Sequence, residues 1–187
     1  MRRRFDEYSD AELFYMLCDD KRTAEGAFSE LFKRHSPRIY AYCKRFIGNL
    51  EEAEDLFQET FIRFHQSASK DRVMTNVPAF LLKIARNLCV NFKKREKQSV
   101  SYEDYMVPDY GTESGSEQSE LLDLIKDALE TLPDEYKEPF ILREYHGLTY
   151  KEIAEITEMP LSNVKVRIHR AKQKIKDILA PYMQELE

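Results

Sequence analysis

Between Gln98 and Ser119 the chain reads QSVSYEDYMVPDYGTESGSEQS, and this stretch forbids one continuous core. It holds Pro108, two glycines and several serines, and its charges, Glu103, Asp104, Asp109, Glu113 and Glu117, are all acidic. No apolar period runs through it, so it has no face to bury as helix or strand. A chain of 187 residues broken there makes two small packing units on a tether. Extended at ~3.3–3.6 Å per residue, about twenty residues reach roughly 70 Å.

Both flanks read as helix. Glycines number only five, strand-like alternation is rare, and eleven Tyr with eleven Phe suit compact helical cores. Ser9-Asp10 opens a short amphipathic helix with Leu13, Phe14, Met16 and Leu17 on its apolar side. A long helical region follows from about Thr23 to Ile47. Ala27, Phe28, Leu31, Phe32, Ile39, Tyr42, Cys43 and Phe46 are its core candidates. Pro37 predicts a kink or break near His35-Ser36. Gly48-Asn49 ends that region and caps the next. Ala68–Val77 is a polar loop, and Pro78 starts another helix, with Phe80, Leu81, Ile84, Leu88 and Phe92 as buried candidates. Beyond the tether, Glu120–Thr131 is amphipathic, Pro133 starts a helix, and Gly147 suits its C-terminal cap. The expectation is all-α: a domain over 1–97, a flexible acidic linker over 98–119, and a domain over 120–187.

The most informative helical stretch runs from Leu148 to Ile178. Thr149 and Glu152 have capping-box spacing. Thr157-Glu158-Met159-Pro160 interrupts the pattern, Ser162 is placed to cap a second helix, and Pro181 to end it. Val164, Ile168, Ala171, Ile175 and Ile178 recur at helical spacing. From Ser162 to Lys176 there are six Lys/Arg and no acid. An apolar back with a basic front, preceded by a short helix and a tight turn, suits the DNA major groove. The alternative is a solvated basic face on a C-terminal helix.

Two other faces carry information. In NLEEAEDLFQETFIRFHQS, from Asn49, the residues Ala53, Leu56, Phe57, Thr60, Phe61 and Phe64 form the apolar side. Glu51, Glu52, Glu54, Asp55 and Glu59 precede the first base, Arg63. The helix dipole accounts for Glu51 and Glu52. Asp55, Gln58 and Glu59 lie past the first turn and make a patch suited to a basic partner helix. In the helix after Pro78, Lys83, Arg86, Asn87 and Asn91 share one side. Asparagine is a poor helix former but reads base edges well.

Some classes are disfavoured. A net charge of −5 counts against a simple repressor, though not against a chain that segregates its charge. Cys18, Cys43 and Cys89 match no zinc or disulfide spacing and fit reduced core thiols. No metal site, cofactor or catalytic constellation is legible, so an enzyme is not expected. MRRRFDEY lacks the apolar run of a signal peptide and no segment reaches membrane-span length, so a cytoplasmic location is expected. A stand-alone regulator would call for a sensory N-terminal domain, which residues 22–97 do not suggest. A protein-only adaptor leaves the basic helix unused.

Three blocks in order resemble a bacterial extracytoplasmic-function RNA polymerase sigma factor of the sigma-70 family. AFSELFKRHSPRIYAYCKRFIGNLEEAEDLFQETFIRFHQ is similar to the first part of the sigma-2 domain, and FLLKIARNLCVNFKKREK to its promoter-reading helix. LETLPDEYKEPFILREYHGLTYKEIAEITEMPLSNVKVRIHRAKQKI is similar to sigma-4. The resemblance implies promoter-specific initiation with core RNA polymerase and promoter DNA as partners, and an anti-sigma factor as regulator. It implies polymerase docking through Asp55, Gln58 and Glu59, and a −10 reader at Lys83, Arg86, Asn87 and Asn91. It further implies a −35 reader at Lys165, Val166, Arg167, His169 and Arg170, and base capture by the loop Ser69–Asn76. Phe80 stands where the family often has Trp, and Val166 where a small hydroxyl residue is frequent.

Overall fold

The computed structural model describes residues 4–69, 73–99 and 117–183. Most of the tether, residues 70–72 of the loop after Ala68, residues 1–3 and residues 184–187 lie outside the described residues. Among those described there are eight α-helices and no strand: α1 Asp10–Met16, α2 Lys21–Ile47, α3 Leu50–Gln66, α4 Val77–Ser99, α5 Glu117–Glu130, α6 Asp134–Glu144, α7 Tyr150–Thr157 and α8 Leu161–Met183. The chain divides into two compact units, Met1–Lys93 and Lys94–Glu187.

The first unit is built on α2. Ala27, Leu31, Ile39, Tyr42, Cys43 and Phe46 line its buried stripe. Against it pack Leu13 and Phe14 of α1, Ala53, Phe61 and Phe64 of α3, and Leu81, Leu82, Ala85 and Cys89 of α4. Phe64 is fully buried, 5.6 Å centroid to centroid from Phe14 and 6.1 Å from Phe80, so one ring ties three helices together. The buried Thr60 hydroxyl donates to the Leu56 carbonyl at 2.7 Å, which satisfies it within its own helix. Cys43 and Cys89 are buried free thiols whose sulfurs lie 3.9 Å apart between α2 and α4.

Arg34 fastens the N-terminal segment to α2. Its guanidinium donates to Asp10 Oδ1 and the Tyr8 carbonyl at 2.9 Å, to Glu30 Oε1 at 2.8 Å and to the Asp6 carbonyl at 3.1 Å. Burial works against this charge, and the Asp10 and Glu30 carboxylates outweigh burial, holding its pKa above the ordinary value. Gly26 leaves room for the Phe5 ring, because a Cβ there would fall 2.2 Å from Phe5 Cε2.

Several sequence expectations need correction. α2 runs unbroken through Pro37. An interior proline costs about 3 kcal/mol, but packing by Leu31 before it and Ile39, Tyr42 and Cys43 after it carries the helix across. α8 likewise continues past Pro181 to Met183. Ser162 does not cap α8: the helix starts at Leu161, and the Pro160 carbonyl accepts from Asn163 N at 2.9 Å and Val164 N at 3.2 Å. α4 runs to Ser99 and α5 starts at Glu117, each slightly inside the span read as linker. Phe28 is only half-buried and Phe32 is exposed, as is Ile178. Leu56, Phe57, Phe80, Ile84 and Phe92 are half-buried rather than core.

In the second unit α6, α7 and α8 enclose Ile141, Leu142, Ile153, Ile156, Val164 and Ile168. α5 adds Ala128, Leu129 and, just beyond it, Leu132, packed on Ala171 and Ile175. The helix-turn-helix follows from local chemistry. Thr149 N and Oγ1 both donate to Glu152 Oε2, at 2.8 and 2.7 Å, and Glu152 N donates back to Thr149 Oγ1 at 3.3 Å. Glu158, at φ 57°, closes α7 in the left-handed region. Gly147, at φ 64°, ends the α6 turn and donates its N–H to the Arg143 carbonyl at 3.1 Å.

Candidate nucleic-acid interface

On α8 the stripe Val164, Ile168, Ala171 and Ile175 is buried, which turns the rest of the helix outward. Lys165, Val166, His169 and Arg170 are exposed, and Arg167 is half-buried. Five residues named from sequence thus share one element. Val166, 47% exposed, presents a methyl-bearing surface and no donor. Its chemistry suits contact with a thymine methyl rather than a hydrogen bond. The basic face is not wholly open, because α6 supplies acceptors to it. Arg167 pairs with Glu135 at 3.5 Å, Lys172 with Glu144 at 2.9 Å, and Arg170 Nη1 donates to Tyr136 Oη at 3.4 Å. Sequence inspection of α8 alone could not show this, since the acids come from another helix.

In the first unit, Asn87 and Asn91 are exposed on α4 one turn apart, with Lys83 and Arg86 half-buried beside them. Arg86 Nη1 reaches Asn87 Oδ1 at 3.4 Å. Leu81, Leu82, Ala85, Leu88 and Cys89 hold the other side in the core. The helix therefore presents amide and cationic donors outward from a rigid back. Asn76 starts α4 by accepting from Ala79 N at 3.0 Å. The loop before it leaves Val73 81% exposed while Met74 is buried, and Tyr15 Oη accepts from Met74 N at 3.1 Å.

Asp55 and Gln58 are exposed on α3, and Glu59, half-buried, pairs with Arg63 at 2.6 Å. Glu54 extends this side, and the Tyr40 hydroxyl donates to it at 3.4 Å. Burial, and then the Glu54 charge, hold the Tyr40 phenol above its ordinary pKa. Gln58 also borders an open groove of about 770 Å³ between α2 and α3, with Phe28, Phe32, Phe57, Phe61 and Ile62 in its lining. The rings interlock: Phe32 lies 4.7 Å from Phe61 and 5.8 Å from Phe57, centroid to centroid. Ile62 remains 50% exposed.

This groove was missed by pattern reading, for an identifiable reason. Ala27 and Leu31 form one stripe of α2, and Phe28 and Phe32 form the next. Taken together they look like one wide core face. Only the first is covered, so the second is left as an apolar surface beside the acidic face. Among the described residues there is no cluster of His, Cys, Asp and Glu suited to a metal, and no helix long and apolar enough to cross a membrane.

Comparison with known proteins finds two family regions along the chain. Residues 31–99 match the family described as Sigma-70 region 2, and residues 122–175 match Sigma-70, region 4. The chain is 34% identical over 186 residues to the ECF RNA polymerase sigma factor SigE of Mycolicibacterium smegmatis, covering 96% of this chain and 71% of that protein. It is 30% identical over 172 residues to the ECF RNA polymerase sigma factor SigW of Bacillus subtilis, covering 83% and 90%. The fold is similar to that of the sigma factor RpoE in its complex with the anti-sigma factor NepR from Bartonella quintana, with TM-score 0.67, 24% identity and coverage of 82% and 96%. It is also similar to CnrH in its complex with the cytosolic domain of CnrY, with TM-score 0.66, 17% identity and coverage of 92% and 99%. On the strength of these matches and the two family regions, the chain belongs to the ECF RNA polymerase sigma factors.

Proposed function

We propose that this sigma factor docks core RNA polymerase through α3 and brings two DNA readers to a promoter, acting as a regulatory subunit rather than an enzyme. The observation that carries the reading is that two different units each present an outward donor face on a helix with a buried back. These are α4 with Asn87 and Asn91, and α8 with Lys165, His169 and Arg170. α4 reads the −10 element with Lys83, Arg86, Asn87 and Asn91. The loop containing Val73 captures an unpaired base and so assists opening. α8 reads the −35 element with Lys165, Val166, Arg167, His169 and Arg170. The two elements lie about 70 Å apart, which suits a domain over 1–97 and another over 120–187 joined by the acidic tether 98–119. The tether lies near the path of the nascent RNA.

On α3, Asp55, Gln58 and Glu59 supply charge and hydrogen bonding to a basic helical partner, and the aromatic groove beside Gln58 accepts its apolar side chains. Polymerase then supplies most of the DNA affinity, which is consistent with a net charge of −5. An anti-sigma factor covers the same faces in the inactive state; that such a partner exists is supported by the anti-sigma complex named for one structural relative. The protein works in the cytoplasm.

The deciding experiment is run-off transcription on fragmented genomic DNA, with core polymerase from the source organism and with or without this protein. Protein-dependent starts sharing a paired upstream motif support the reading. Arg170→Ala should then weaken initiation by about 1–3 kcal/mol of lost base contact. Asp55→Lys with Glu59→Lys should abolish co-purification with core enzyme while both units stay folded. Sequence-specific DNA binding by the free protein, with no new starts, would instead favour a stand-alone regulator.

A further inference from the structure

We infer that α6 carries two built-in competitors for DNA phosphate, Glu135 and Glu144, which hold down the intrinsic DNA affinity of the recognition helix. The inference rests on α8 being a DNA-reading helix, as proposed above. At 3.6 residues per turn, Val166 points away from the buried stripe of α8. Arg167 and Lys172 fall on opposite flanks of it. A helix seated in the major groove meets base edges with its front and a phosphate backbone on each flank. The flanking cations are the ones that α6 occupies: Glu135, in its first turn, takes Arg167, and Glu144, at its end, takes Lys172.

Both pairs are partly solvated. The side chains are 31% and 51% exposed in the first and 53% and 36% in the second, so a phosphate can displace either carboxylate. Displacement leaves that carboxylate facing the DNA backbone. Each acid therefore subtracts from the net number of phosphates the helix neutralises. Tyr136, packed on the α5–α8 core, holds Arg170 through a neutral hydroxyl and exerts no such opposition. The device weakens sequence-independent binding, which is phosphate-driven, more than base readout. A factor so built stays off bulk DNA until polymerase adds its own affinity.

The test is fluorescence anisotropy of the full chain on a labelled 30-bp duplex of random sequence, across a salt series. The variants are Glu135→Gln with Glu144→Gln, and Glu155→Gln as a control on α7 outside both pairs. Counterion release gives a slope of about −0.9 per phosphate. The double variant should therefore bind tighter than wild type, with a slope steeper by up to about 1.8. Its advantage should then be roughly 12-fold larger at about 50 mM salt than at about 200 mM. Glu155→Gln should change neither. An unchanged slope, a slope change shared by Glu155→Gln, or weaker binding by the double variant would overturn the inference and make the acids mere supports of α8. If Lys165→Ala with Arg170→Ala also left binding unchanged, the DNA-reading assignment of α8 would fall with it.

Discussion

Ile62 tests the docking surface most directly. It is 50% exposed on α3, in the lining of the aromatic groove and one turn from Gln58. Ile62→Ala removes three carbons, worth about 0.8 kcal/mol each when fully buried. Half of that surface is already covered in the free protein, so about 1.2 kcal/mol remains to be gained on docking. The affinity for core polymerase should fall roughly sevenfold. The loss in folding stability should stay under about 1 kcal/mol, because alanine returns a few tenths in helix propensity. Competition for core enzyme against labelled wild-type protein gives the first number, and denaturant unfolding gives the second. Unchanged competition with unchanged stability would refute a role for the groove and leave docking to the acidic face alone. A loss of stability well above 1 kcal/mol would show that Ile62 is part of the core.

Other outcomes follow from the same contacts. Thr149→Ala removes the hydroxyl half of the capping box at α7, leaving the Thr149 N–H bond to Glu152, and should cost about 1 kcal/mol, lowering the melting temperature of that unit by roughly 4–8 °C. Unshifted melting would mean the cap is redundant with packing. Gly26→Ala drives the Phe5 ring off α2, so protease cleavage near Phe5 should accelerate while the helical core keeps its melting temperature. Equal cleavage rates would count against that contact. Glu12 is held below its ordinary pKa of 4.5, chiefly by the Ser9 side chain and then the Ser9 backbone. Its contribution to the α1 N-terminus is therefore present above 4.5 and lost as pH falls through the lower folded value. Ser9→Ala should move the Glu12 titration, followed by carboxyl NMR, upward toward 4.5, and an unmoved titration would remove the hydrogen bond as its cause.

Much of the architecture was legible before any coordinates because its signals are local. The box at Thr149 and Glu152, the Gly147 turn, the cap at Asn49 and the apolar stripe from Val164 to Ile175 depend on residues a few positions apart. Steric preference and helical period act at that range. Pro37, Pro181 and Ser162 misled because each carries a local preference that neighbouring bonds and packing override.

The amino-acid order alone determined that the chain is helical and which helix faces are acidic, amide-bearing or basic. Tertiary structure decided which apolar stripe of α2 is core and which is left open, since Phe28 and Phe32 differ from Ala27 and Leu31 only in what covers them. It also decided how much of the basic face is engaged internally, since Glu135 and Glu144 meet Arg167 and Lys172 only once α6 packs against α8. Periodicity states which residues share a face; what lies opposite that face is set by chain segments distant in sequence, and no local pattern encodes it.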